Sequence, residues 1–259
     1  MRASHARSFG LFCFCFICVL SVLAGAEPVR VRYVQGSSHG FLALKTLDGR
    51  LIATGESTQT VHGGRVTSRL TFHFLDGSTD DDVTIFTQNN TFRLISDHHI
   101  QRGPSFPKPI DFLIDGESGQ IISRDKEGKL TQEHLDLPGD VSNGLPPNLL
   151  LNILPSTVET KISYVVPGSK PRVVRLSIKP TGSLPFTVGS LRRKATDFTI
   201  HVELGGLTGV VAPIIGKEPA DYHIWLQNGT PPAFVREEGP LYEGGPIWRI
   251  EEVSPTFSR

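Results

Sequence analysis

The chain has little sulfur and few aromatic side chains other than phenylalanine: its 259 residues include three cysteines, one methionine, two tryptophans and four tyrosines. Cys13, Cys15 and Cys18 all precede Glu27, so the chain from Glu27 onward can form neither a disulfide nor a thiolate metal site. It has no excess of charge of either sign: 26 Lys and Arg balance 26 Asp and Glu. Nucleic acid is therefore not an expected partner. After Val29 there is no long apolar run and no sustained helical periodicity. The Gly-x-Ser-x-Gly elbow, the His-Glu-x-x-His helix and the glycine-rich nucleotide loops are also missing, so no cofactor is expected and an enzyme is disfavoured.

What is present begins with a three-part leader. Arg2, His5 and Arg7 give a cationic start, Phe9–Leu23 an apolar run, and Ala24-Gly25-Ala26 a small-residue cleavage site. The pattern predicts a signal peptide over residues 1–26 and a secreted or periplasmic product. The apolar run is short of the ~20 residues a spanning helix needs, so no stable membrane span is expected after cleavage. Phe12, Phe14 and Ile17 stand before the cysteines where a lipobox requires a small residue, which argues against lipidation.

Residues 27–259 read as a single all-β domain with one short helix. Phe41–Leu47 and Arg50–Thr54 flank Asp48-Gly49, and Val83–Gln88 and Thr91–Ser96 flank Asn89-Asn90; both pairs suit a type I′ turn. Pro109–Asp115, Gln120–Arg124 and Lys129–Leu135 form a meander, and Asp221–Gln227 follows a strand expected at Leu207–Ile215. Leu70, Phe72, Phe74, Phe198, Ile200 and Val202 alternate with polar residues and mark a buried face. The break comes at Asp136–Leu154, where Pro146 or Pro147 opens a helix of two or three turns with Leu149, Leu150, Ile153 and Leu154 on one face. About a dozen antiparallel strands would curl into a half-barrel or barrel, with a subdivision into two β subdomains expected, if anywhere, near residues 136–155.

Two sets of residues could carry function. His73, His201 and His223 each fall on the polar side of a strand and could gather zinc or copper, with Glu203 as a further ligand; ordinary polar-face histidines are the plainer reading. His98-His99 would send its rings to opposite faces. Leu149, Leu150, Ile153, Tyr242 and Trp248 could line a ligand groove between helix and sheet. Asp76–Asp82 reads as a solvated hairpin tip, and Arg192-Arg193-Lys194 as a solvated cationic loop.

Asp136-Leu137-Pro138 with Asn143-Gly144-Leu145, Lys194-Ala195-Thr196, Val210-Val211-Ala212-Pro213, and the ending Glu238-Gly239-Pro240-Leu241-Tyr242-Glu243-Gly244-Gly245-Pro246-Ile247-Trp248 resemble an uncharacterised family of secreted bacterial β-rich proteins of unknown function. The resemblance covers most of the chain after Glu27 and implies no activity. At the level of fold, many strands with one leucine-rich helix are similar to the half-barrels of periplasmic lipoprotein carriers of the LolA and LppX kind. The combined expectation is an exported binding or envelope-structural module that holds an apolar or lipid-like ligand. A metal-dependent enzyme using the strand histidines and an envelope interaction scaffold are the alternatives.

Overall fold

The structure is a computed structural model and describes residues 28–168, 170–188, 190–203 and 219–254. The leader at 1–26 and the strand expected at Leu207–Ile215 lie outside the described residues.

Fourteen strands form one antiparallel sheet: β1 Ser38–Thr46, β2 Leu51–His62, β3 Arg65–Phe74, β4 Thr79–Gln88, β5 Phe92–Arg102, β6 Ile110–Asp115, β7 Gln120–Arg124, β8 Leu130–His134, β9 Thr160–Val166, β10 Arg172–Val188, β11 Leu191–Glu203, β12 Tyr222–Gln227, β13 Ala233–Gly239 and β14 Trp248–Val253. Each strand pairs with its neighbour in sequence from β1 to β8 and again from β9 to β14, and β1 pairs with β14 in the middle of the sheet. β8 and β9 are therefore opposite edges, and they are not paired with each other. The barrel is open, and the strands are not divided into two sheets at 136–155.

This topology obliges the connection from β8 to β9 to travel from one edge to the other. It does so across the concave face and carries α1 Pro146–Leu150, the one helix among the described residues. Leu145, Leu149, Leu150 and Ile153 are buried there against Phe86, Phe92 and Phe112 of one wing and Ile162, Leu176 and Phe198 of the other. Burial of each such side chain contributes roughly 1.5–3 kcal/mol, so the segment is a structural filling between the wings. A second cluster joins Leu42, Leu44, Phe72, Phe74, Phe106, Trp248 and Ile250.

The helix is one turn rather than two or three. Asn152 explains the early end: its side-chain Nδ2 donates to the carbonyl of Asn148 at 2.9 Å, and its Oδ1 accepts the amides of Arg32 and Tyr33 at 2.7 and 2.8 Å. The side chain replaces a backbone helix bond and pins the incoming segment 28–36 inside the curl. The expected hairpins form at Asp48-Gly49 and Asn89-Asn90, but not as type I′ turns, because no residue other than glycine has positive φ among those described. Gly49 alone takes the left-handed conformation in the first turn. Among the described residues no helix is long and apolar enough to cross a membrane.

Candidate functional site

The acidic run that reads as a hairpin tip is mostly strand. Asp76-Gly77-Ser78 makes the turn, and β4 starts at Thr79, paired with Arg102 of β5. Strict alternation from Phe86 back to Asp80 then turns Thr84, Asp82 and Asp80 inward, while Asp81 faces out and bonds Arg69 and Thr71. The partners across β5 are Asp97, His99 and Gln101, at register positions Thr84↔Asp97, Asp82↔His99 and Asp80↔Gln101. The concave face thus carries a polar block among its aromatic and aliphatic neighbours.

Within this block Asp80 is held twice. His99 Nε2 donates to its Oδ1 at 2.7 Å and Gln101 Nε2 to its Oδ2 at 3.2 Å. Gln101 Nε2 also reaches the carbonyl of Leu241 at 2.8 Å, tying the block to the β13–β14 connection. Thr84 Oγ1 donates to Asp97 Oδ1 at 2.9 Å. The connection between the edges presses onto this pair at Gly144, whose φ of 65° and contact with Thr84 and Asp97 leave no room for a Cβ.

Proton affinity follows from enclosure. Burial pushes Asp82 well above the usual carboxylate range, and the adjacent Asp97 charge pushes it further. Burial raises Asp97 too, with partial relief from its hydrogen bond to Asp82, the His99 charge and Thr84. Two carboxyl groups so placed titrate as a pair that shares a proton. Burial would lower His99, but its bond to Asp80 and the charges of Asp80, Asp82 and Asp97 outweigh that and raise it to about 9.

The facing wall adds three groups. Glu237 on β13 lies between Ile224 and Ile250, both buried, so it shares their inward direction. Burial alone raises it to about 7. Tyr222 is pushed up to about 12 by burial and then by the charge of Glu237. Tyr164 on β9 is raised by burial and by the charges of Tyr222, Asp97, Asp82 and Asp80, and it packs against the main core cluster. Asp82, Glu237, Tyr164 and Tyr222 are deeply enclosed yet each retains some accessible surface, so the interior of the curl is polar here without being sealed. Among the described residues Asp82 Oδ1 meets no hydrogen-bond donor.

Outside the sheet, His201 and His223 border a groove of about 480 Å³ with Pro219, Asp221, Glu238 and Ile247. His201 Nδ1 lies 2.7 Å from Asp221, and His223 Nδ1 lies 3.2 Å from both oxygens of Asp197. His223 stacks on Trp225 at 5.6 Å. Burial raises Asp197, although His223 works against the shift. Glu238 is taken by Arg249 at 2.7 Å. The polar side chains of this groove are thus already matched to one another.

The expected histidine trio is only two-thirds assembled. His201 and His223 sit diagonally on the adjacent strands β11 and β12, but His73 is on β3, beyond β13, β14, β1 and β2 in the sheet. No three His, Cys, Asp or Glu side chains are placed to hold a metal ion among the described residues. Spacing on alternating strands had fixed the face of each histidine but not the distance between strands. The expected ligand groove is likewise split. Leu149, Leu150 and Ile153 belong to the cluster around α1, whereas Tyr242 and Trp248 pack with Phe106 and Phe74 in the second cluster. The void beside Leu145 and Leu149 measures about 10 Å³, no more than a single water would need. His98 and His99 do point to opposite faces, His98 outward to Asp111 at 2.9 Å.

No family model matches the sequence, and no curated protein matches it. Among solved structures the chain is similar to a beta-barrel-like protein of a domain of unknown function, DUF1849, from Brucella abortus. The TM-score is 0.47 at 12% identity, over 85% of this chain and 98% of that one.

Proposed function

We propose that the protein is an exported binding module that takes a small cationic, amine-bearing ligand into the lumen of its half-barrel. The observation that carries this is the surplus of inward carboxyl groups: Asp80, Asp82, Asp97 and Glu237 share the interior, and the cation beside them among the described residues is His99, which Asp80 already holds. An ammonium group entering the lumen would supply donors to Asp82 Oδ1 and stabilise the ionised form of Glu237, relieving the burial that now opposes it. Tyr164 and Tyr222 offer phenol oxygens and ring faces to the same ligand. The leader-like sequence supports export. An apolar or lipid-like ligand has less support, because leucines of the protein itself occupy the space between helix and sheet.

Putrescine is a suitable probe, with a neutral diol of equal length as its control. The diamine is expected to raise Tm while the diol leaves it unchanged. The effect should be larger near pH 8, where Glu237 with its value of about 7 is ionised, than near pH 5. Asp82→Asn and Glu237→Gln should each weaken it. Equal shifts with diamine and diol, or shifts indifferent to both substitutions, would end this reading.

A further inference from the structure

The two longest strands outrun their neighbours. β10 pairs with β9 only over Arg172–Ile178, and β11 pairs with β12 only over Ala195–Ile200. Beyond those points β10 and β11 continue to pair with each other, through Pro185↔Lys194, Phe186↔Arg193 and Thr187↔Arg192 to Val188↔Leu191. The result is a two-stranded arm beyond Leu184↔Ala195 whose outer edges meet no further strand among the described residues, extending roughly 13 Å at ~3.3 Å per residue.

Strand alternation sorts its side chains. Leu184, Phe186, Leu191 and Arg193 share one face, and Pro185, Thr187, Arg192 and Lys194 share the other. Leu191 is 55% exposed, and Leu184 and Phe186 are half-buried without belonging to either core cluster. Arg192, Arg193 and Lys194 are exposed, have no ion-pair partner among the described residues, and have no acidic residue among their neighbours from Lys179 to Thr196. A packed protein does not leave apolar side chains on a projecting ribbon for the sake of its own stability, since a two-stranded hairpin alone is marginal in water.

We propose that this arm is an interfacial anchor for an anionic phospholipid surface. The charge pattern selects the sign of the partner, and the apolar face selects its kind. A soluble polyanion would neutralise the three cations but leave Leu184, Phe186 and Leu191 in water, whereas a bilayer interface accepts the cations at its headgroups and the apolar side chains just below. The surface is separate from the lumen and independent of the ligand proposed for it.

Vesicle flotation tests the anchor. Purified protein is mixed with vesicles of pure phosphatidylcholine, or of equal parts phosphatidylcholine and phosphatidylglycerol, with the β signal in circular dichroism monitored throughout. Binding to the anionic vesicles is expected to exceed binding to the neutral ones by ~10-fold or more and to fall as salt is added. Joint replacement Arg192→Glu, Arg193→Glu and Lys194→Glu should abolish it. Leu191→Ser, which leaves every charge in place, should weaken it several-fold. The proposal is overturned if neutral and anionic vesicles bind alike, or if neither does. It is equally overturned if Leu191→Ser binds as the parent does while a heparin oligosaccharide competes fully, since that pattern belongs to a soluble polyanion.

Discussion

The two faces of the β4–β5 ribbon are built from the same residue types and behave oppositely. On the outer face Asp81 of β4, and Asp111 of the adjoining β6, stay below the usual carboxylate range: partial burial would raise them, but Arg69 and Thr71 for Asp81, and His98 and Arg102 for Asp111, outweigh it. One residue further along the strand, the inner carboxyl of Asp82 is raised, because enclosure is deeper and its nearest charged neighbour is another aspartate. A step of one residue along a strand therefore exchanges a surface carboxylate held below the usual range for an interior one pushed above it. Identity of the side chain counts for less than which way the pleat turns it.

The sharpest way to break the comparison is at the paired histidines. His99→Ala would leave Asp80 enclosed with its cation removed, and the expected loss of stability is ~3 kcal/mol, the lower part of the range for broken buried pairs because His99 remains 22% exposed. His98→Ala, on the outer face, should cost under ~1 kcal/mol. Equal losses in urea unfolding would erase the distinction between the faces.

The pH dependence carries the next effect. Glu237 is raised by burial from 4.5 to about 7, so its ionisation opposes folding: stability is undiminished below about pH 4.5 and falls as pH rises toward 7. His99 is raised from 6.5 to about 9, so its contribution is complete below about 6.5 and is lost as pH rises through 9. Both act in the same direction, and the protein should become steadily less stable from about pH 4.5 to 9. Glu237→Gln should match the parent near pH 4 and exceed it by up to ~3 kcal/mol above pH 7. A parent whose midpoint denaturant concentration does not move across this range would contradict the inner-face assignment.

Leu150→Trp asks whether the α1 end of the concave face is as full as its geometry says. Leu150 has no exposed surface, so overpacking should cost ~1–3 kcal/mol, with earlier melting and an unchanged β signal. A tolerated tryptophan would mean that this end has room for a guest. The smallest effect is expected from Asp81→Asn, under ~1 kcal/mol and shrinking with salt, since Arg69 is 56% exposed.

Most of the sheet is legible in the sequence because alternation reports faces directly. Ile110–Asp115, Gln120–Arg124 and the inward set Phe72, Phe74, Phe198 and Ile200 are where the pattern puts them. β13 is not legible: Ala233–Gly239 mixes Arg236, Glu237 and Glu238 with apolar residues and follows two prolines, so no buried face stands out. The inner carboxyls were hidden for a related reason. Aspartate is scarce in strands and common in turns, so Asp80–Asp82 merges with the Asp-Gly turn before it. Counting back by twos from Phe86 and Thr84 is the signal that would have recovered Asp82 and Asp80. Which strands adjoin which is a property of the whole chain, and so the separation of His73 from His201 and His223 is not written in any local spacing.

The connection that crosses the concave face does one thing more when it reaches β9. Val141 bridges Ser163 in parallel, Ser142 N donates to the carbonyl of Ser163 at 3.0 Å, and the Asn143 side chain accepts the amide of Val165 at 2.8 Å and donates to its carbonyl at 2.9 Å. An asparagine amide thus stands in for a missing strand along the middle of that edge. Of the sheet's two end strands β9 is thus capped, while β8 is bare among the described residues, with all its side chains exposed. A bare end strand can add one further strand or meet a second copy across a twofold axis, and either addition uses it up. Stacking such sheets end to end into a fibre needs both end strands bare, and the cap on β9 removes one of them.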